Sequence, residues 1–238
     1  MATQFSSLSF LANWKTKFVY FLILPIINIL LLVLIDLQYN NQFNWYVASA
    51  SVIIDSGALS LQAMSQLMIT DANLGIDLEL LAKNPYSFYY WRIKVFTSLI
   101  PGIILGIINL VLLLMVGLPI NLFLKCIVML PLICLYGTIF GFTGWTISWQ
   151  MKNPYYFSNL FASIIAIVAG VLVVVSDYPK WLMLISYVFP FYEIVDYIKI
   201  NDNSILLSTL IAFIWLIIGI CFYIFQIKSV LNKKIHQY

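Results

Sequence analysis

Charge is what this chain has least of. Only 9% of its 238 residues are Asp, Glu, Lys or Arg, while 63% are hydrophobic; soluble domains carry about 25% charged residues. The charges also cluster, leaving uncharged runs over 18–35, 37–54, 56–70, 95–124, 126–151, 153–176 and 203–227. A large soluble core would need many more polar surface positions than these runs leave. Histidine is nearly missing: His236 stands alone, two residues from the end. Metal-dependent intramembrane proteolysis needs paired histidines, and serine chemistry needs a base beside the nucleophile, so neither is expected. No GxxxxGK[ST] loop occurs to cradle phosphates. Cys126, Cys134 and Cys221 all fall in apolar runs and read as packing residues, not disulfides or metal ligands. The expectation is a chain with no catalytic, metal or cofactor site of its own.

What is present is length of hydrocarbon. A span needs about 20 mostly apolar residues, because only a helix of that length satisfies its backbone across the bilayer. The runs predict an all-α membrane protein, a single transmembrane domain over 1–238. Six spans are expected, near 18–37, 47–69, 97–118, 120–149, 155–175 and 205–227. A further apolar stretch, 178–198, is broken by Pro179, Pro190, Glu193 and Asp196 and suits a re-entrant helical hairpin. Phe5, Leu8, Leu11 and Ala12 share a helical face, predicting an interfacial helix over 5–17 rather than a cleavable signal.

The basic residues set the expected orientation. With the N-terminus inside and six spans, Lys15, Lys17, Lys83, Arg92, Lys94, Lys152, Lys228, Lys233 and Lys234 fall on the cytoplasmic side. Lys125, Lys180 and Lys199 fall outside, a ratio of nine to three that the inverted topology would reverse. Both termini are therefore expected in the cytoplasm. The net charge of +3 reflects these anchors and calls for no nucleic acid.

Two spans carry polar or small stripes. Ser51, Asp55, Gln62 and Gln66 lie at i, i+4, i+11 and i+15 on one face of span two. A charge deep in the bilayer costs roughly 2.5–3.5 kcal/mol on insertion scales, so Asp55 is expected to face protein or water. Cavity lining and interhelical hydrogen bonding account equally for such a stripe. Asn159, Ser163, Ala166 and Gly170 recur at i, i+4, i+7 and i+11 in span five, a spacing that permits close helix approach. Gly102 with Gly106, and Gly137 with Gly141, read as packing steps inside the chain.

Between spans two and three lies DANLGIDLELLAKNPYSFYYWR, residues 71–92, a mixed-charge island. Leu74, Leu78 and Leu81 give it one apolar face, and Asp71, Asp77, Glu79 and Lys83 populate the rest. Asn84-Pro85 should end a helix there, since proline disfavours helical geometry in the residue before it. Tyr86, Phe88, Tyr89, Tyr90 and Trp91 suit the membrane interface. The pattern predicts a short helix parallel to the membrane, over 71–84, offered to a soluble partner.

At this point the chain resembles the permease subunit of the type-2 class of ATP-binding-cassette exporters. Gly75, Glu79, Leu81 and Pro85 match that family's post-span-two stretch, although Gly75 sits one residue further from Glu79 and the usual upstream arginine is replaced by Thr70-Asp71-Ala72. Pro179, Trp181, Phe189-Pro190 and Glu193 follow the family's order before span six, and Ala169-Gly170 its small-residue step. The resemblance implies two six-span subunits, a homodimer or a pair of paralogues, with two ATPase subunits holding ATP and magnesium beneath them. It implies a coupling helix bearing Asp71, Gly75, Asp77, Glu79, Lys83 and Pro85. It also implies a pathway along Ser51, Asp55, Gln62, Gln66, Asn159 and Ser163, with Ala166 and Gly170 at the subunit interface. The expected setting is a bacterial plasma membrane, and the expected cargo an amphiphile: a membrane-active peptide, drug or lipid. An ion-driven secondary transporter using Asp55, and a non-transporting sensor or immunity protein, are the rival readings.

Overall fold

The computed structural model describes residues 4–5, 7–41, 43–76, 84–200 and 205–235; these are mostly helical, with no strand among them. Among the described residues, five helices are long and apolar enough to cross a bilayer. They are α1 (Trp14–Tyr39), α2 (Trp45–Asn73), α3 (Phe88–Val116), α4 (Ile120–Ser148) and α8 (Leu206–Ile235). Between the last two lie α5 (Tyr156–Val168), α6 (Lys180–Val188) and α7 (Tyr192–Ile200). Helices α6 and α7 meet at 105° across a short break and together form a broken span or a re-entrant hairpin. The chain is thus a multi-pass membrane protein in character.

Helix α2 is the centre of the bundle, packed on α4, α3, α1 and α5. In its most apolar window 83% of residues are buried inside the protein, against 22% for α1 and 28% for α8. The reason is its small side chains. Gly102 and Gly106 of α3 lie against Ser56 and Ser60 of α2, while Gly137 and Gly141 of α4 lie against the carbonyls of Gly57 and Leu61. A Cβ at any of the four would overlap its neighbour, so both glycine steps are packing faces within the chain. Ser65 locks the same contact, its Oγ lying 3.0 Å from the Gly141 carbonyl and 2.7 Å from Ser158 Oγ of α5.

Helix α1 widens into a π-helical turn over Val19–Ile23. Proline at position 25 has no N–H to offer the carbonyl four residues back, at Phe21. In hydrocarbon that orphan must be satisfied by protein, and Asn109 of α3 does so, its Nδ2 donating to Phe21 O at 2.9 Å.

The segment before α1 departs from the expected interfacial helix over 5–17. Ser9–Leu11 form one 3₁₀ turn, and Trp14–Phe18 run directly into the first span. Leu8 and Phe10 are buried against Phe21, Leu59, Ala63, Leu67 and Leu105. These apolar side chains occupy a pocket between α2 and α3.

Helix α5 is also shorter than the expected fifth span over 155–175. Its 13 residues rise about 20 Å, less than the ~30 Å hydrocarbon core. It stops at Gly170, where φ is +74°, and the Val171 N–H reaches back to the Ala166 carbonyl at 3.5 Å. Glycine suits this left-handed stop. Lys199 of α7 then donates to the carbonyls of Gly170 (2.7 Å) and Val171 (2.9 Å), setting a cation at the helix C-terminus. At the start of α8 the complementary cap is Glu193, whose carboxylate accepts from the Ser208 N–H at 2.7 Å.

Candidate functional site

The island is held at both ends by the helices that flank it. On the α2 side, Asp71 is buried and its carboxylate meets Lys94 Nζ of α3 at 2.7 Å; Tyr90 OH donates to the same oxygen at 2.6 Å. Lys94 is 0% exposed. Its ammonium also donates to the Leu67 carbonyl (3.3 Å) and lies 5.4 Å from the centre of the Tyr90 ring. Removing two charges from water is costly, and only a close geometry with further hydrogen bonds offsets the cost; each of these contacts contributes to that offset. Helix α2 then ends at Gly75 in the left-handed conformation (φ +72°), which is what the glycine at that position is for.

On the α3 side, Asn84 opens a turn. Its side chain accepts from the Tyr86 N–H (3.2 Å) and its carbonyl from the Ser87 N–H (3.2 Å), an arrangement short polar side chains favour before a helix. The carbonyl of Pro85 receives two donors, Trp91 Nε1 at 3.3 Å and Tyr223 OH of α8 at 3.0 Å. Trp91 stands perpendicular to Tyr90, Phe142 and Tyr223, with ring centres 5.1–5.3 Å away, while Trp149 stacks on Tyr223. The island's exit is thereby fastened to α3, α4 and α8 at once. Asp77, Glu79 and Lys83, and the middle of the expected coupling helix, lie outside the described residues.

The polar stripe of α2 divides in three. Ser51 is buried, and its hydroxyl has no hydrogen-bond partner among the described residues. Gln66 is half-buried under the N-terminal segment, donating to the Ser7 carbonyl and accepting from Ser9 Oγ, both at 3.3 Å. Asp55 and Gln62 open into a groove of about 390 Å³ shared with Asn28 of α1 and Ala162 of α5. Asn28 Nδ2 lies 3.3 and 3.4 Å from the two Asp55 carboxylate oxygens. On α5, Asn159 and Ser163 are exposed on the helix that lines this groove, and Ser163 Oγ returns to the Asn159 carbonyl at 2.8 Å. Ala166 is half-buried, and Gly170 is buried against Val173 and Val175 of its own chain. One side of the bundle, built by α1, α2 and α5, therefore carries exposed amides, an exposed hydroxyl and a half-buried carboxylate.

Several of these partners escape a reading of the sequence. Lys94 counts there as a topology anchor, yet it is the counter-ion of Asp71. Asn28 is the only amide in the run 18–35, and that isolation was its signal. Tyr223 and Lys199 give no local signal, because their roles exist only after distant helices meet. No group of three or more His, Cys, Asp or Glu is placed to hold a metal among the described residues.

Compared with known proteins, the chain matches no family model, no curated protein and no solved structure.

Proposed function

We propose that the chain is the membrane permease of an ATP-driven exporter of the ATP-binding-cassette type, moved by a separate ATPase. The observation that carries the reading is the double tether of the island: Asp71 to Lys94 and Tyr90 at one end, Pro85 to Trp91 and Tyr223 at the other. A force on the loop would be delivered to α2, α3 and α8 and not absorbed by slack chain. Asp77, Glu79 and Lys83 would meet the ATPase, with ATP and magnesium bound there and not on this chain. Two ATPase copies would serve two permease subunits, identical or paralogous, in a bacterial plasma membrane with both termini in the cytoplasm.

The exposed polar side of α1, α2 and α5 supports the rest of the reading. Amides and a carboxylate facing lipid would be costly, so Asn28, Asp55, Gln62, Asn159 and Ser163 would line a shared pathway against the second subunit. Its mixed character suits an amphiphile such as a membrane-active peptide, a drug or a lipid. The deciding experiment is co-purification with the ATPase encoded beside it. A stable complex whose ATPase activity is unchanged by Glu79→Ala plus Lys83→Ala would refute the coupling role. The Asn28–Asp55 pair favours one rival, an ion-driven carrier. Transport that persists without ATP and collapses with the ion gradient would decide for it.

A further inference from the structure

On the other side of α2 lies a cleft of about 710 Å³ between α3, α4 and α8, in the size range of ligand sites. Met64 lines this cleft and Gln62 the polar groove; two residues apart, they point about 200° from each other around the helix. The cleft is therefore separate from the proposed pathway. Its walls are mostly hydrocarbon and ring carbon, and most polar groups along them are already used, Tyr136 OH by Ser208 among them; the Tyr86 hydroxyl lies at the island end. Thr138 donates to the Cys134 carbonyl (2.9 Å) and Thr209 to the Leu206 carbonyl (2.7 Å). Trp91 Nε1 and Tyr223 OH are spent on Pro85. A peptide backbone or sugar entering here would lose its hydrogen bonds to water without replacement.

The shape and the charge indicate what does enter. From Thr209 to Tyr223 the cleft follows α8 for 14 residues, about 21 Å of rise, which spans the hydrocarbon of one leaflet, about 15 Å, with length to spare. At the island end, Tyr86, Phe88 and Trp91 gather as interfacial aromatics. One exposed base flanks this end. Arg92 lies one turn from Phe88 and from Val95. It is not paired with an acid among the described residues.

We propose that this cleft is a binding site for an anionic phospholipid, one acyl chain lying along α8 and the phosphate held by Arg92. The lipid's chain would press on Trp91, Phe142 and Tyr223, the rings that hold Pro85, so its presence would stiffen the island's exit whatever drives the protein.

The test is photo-crosslinking of the full chain in phosphatidylcholine vesicles doped with phosphatidylglycerol carrying a diazirine near the chain end, against the same probe on phosphatidylcholine. Labels are expected to concentrate on 132–139 and 209–216, with the anionic probe favoured about fivefold through its one basic contact. Leu216→Trp, or Leu135→Trp from the opposite wall, should displace the label from these segments. Arg92→Gln, on the surface, should keep the chain label and erase the anionic preference. Uniform labelling of all lipid-facing helices, or labelling indifferent to the tryptophans, would overturn the site. A preference that survives loss of Arg92 would overturn the headgroup assignment. Crosslinks between two copies at Phe213 in place of lipid would show that a second subunit covers the cleft.

Discussion

Asp71, in the last turn of α2, and Lys94, two turns into α3, meet at 2.7 Å with the lysine wholly shielded from solvent. They clamp the entrance of the island to the helix that follows it. Removing one partner leaves the other charge buried and uncompensated, which costs about 3–5 kcal/mol. Asp71→Asn or Lys94→Met should each lower the melting temperature of the purified protein strongly. Asp71→Leu with Lys94→Met should recover most of the loss, because a buried pair exchanged for hydrocarbon is often near neutral. If the double variant is as unstable as the singles combined, the pair is not the clamp described.

The exit of the island has its own test. Trp91 and Tyr223 share one acceptor, the Pro85 carbonyl, so Tyr223→Phe should cost about 1 kcal/mol, the usual net worth of a hydrogen bond. Hydrogen exchange of the backbone around Tyr86 and Ser87 should accelerate in the same variant. Protection that is unchanged there would mean the aromatic stacking holds the turn without the hydroxyl.

The π turn in α1 offers a rescue experiment. Asn109→Leu orphans the Phe21 carbonyl that Asn109 satisfies, at a cost of about 1–3 kcal/mol. Pro25→Ala restores an N–H four residues on, so the double variant should regain much of the stability lost by Asn109→Leu. Thermal unfolding of the four proteins measures this directly. Additive losses would show that Pro25 is not the cause of the widened turn.

Water access separates the two sides of the bundle. With the exposed Cys221 replaced by alanine, cysteines placed at Gln62 or Asn159 should react with a water-soluble maleimide in the native membrane. Cysteines at Leu30 or Phe213, which are exposed and apolar on the outer faces of α1 and α8, should not. Equal reactivity at all four positions would remove the polar side as a candidate pathway.

The residues differ in how openly the chain announced them. The glycine steps of α3 and α4 require a neighbour to come close, so they are legible along the chain. Asp55 was legible as a charge needing cover, but its partner Asn28 was not, because the rotation of α1 against α2 sets which residues face. Lys94 looked like any interfacial base. Its burial follows from the crossing of α2 and α3, which places the Leu67 carbonyl and Asp71 over its ammonium. The length of α5 is not legible in the same way, since hydropathy runs on past Gly170 while the backbone turns there, fixed by Lys199 from another helix.

Taken alone, the order of residues determined that this is a helical membrane protein, where its apolar helices run, and that a charged island separates the second from the third. Those properties depend on local composition and period, which act within one helix. Which side of the bundle is polar, what holds the island, and where the cleft opens were decided only by the tertiary structure. They depend on the angles and rotations between helices, and so on many weak contacts from distant parts of the chain acting together.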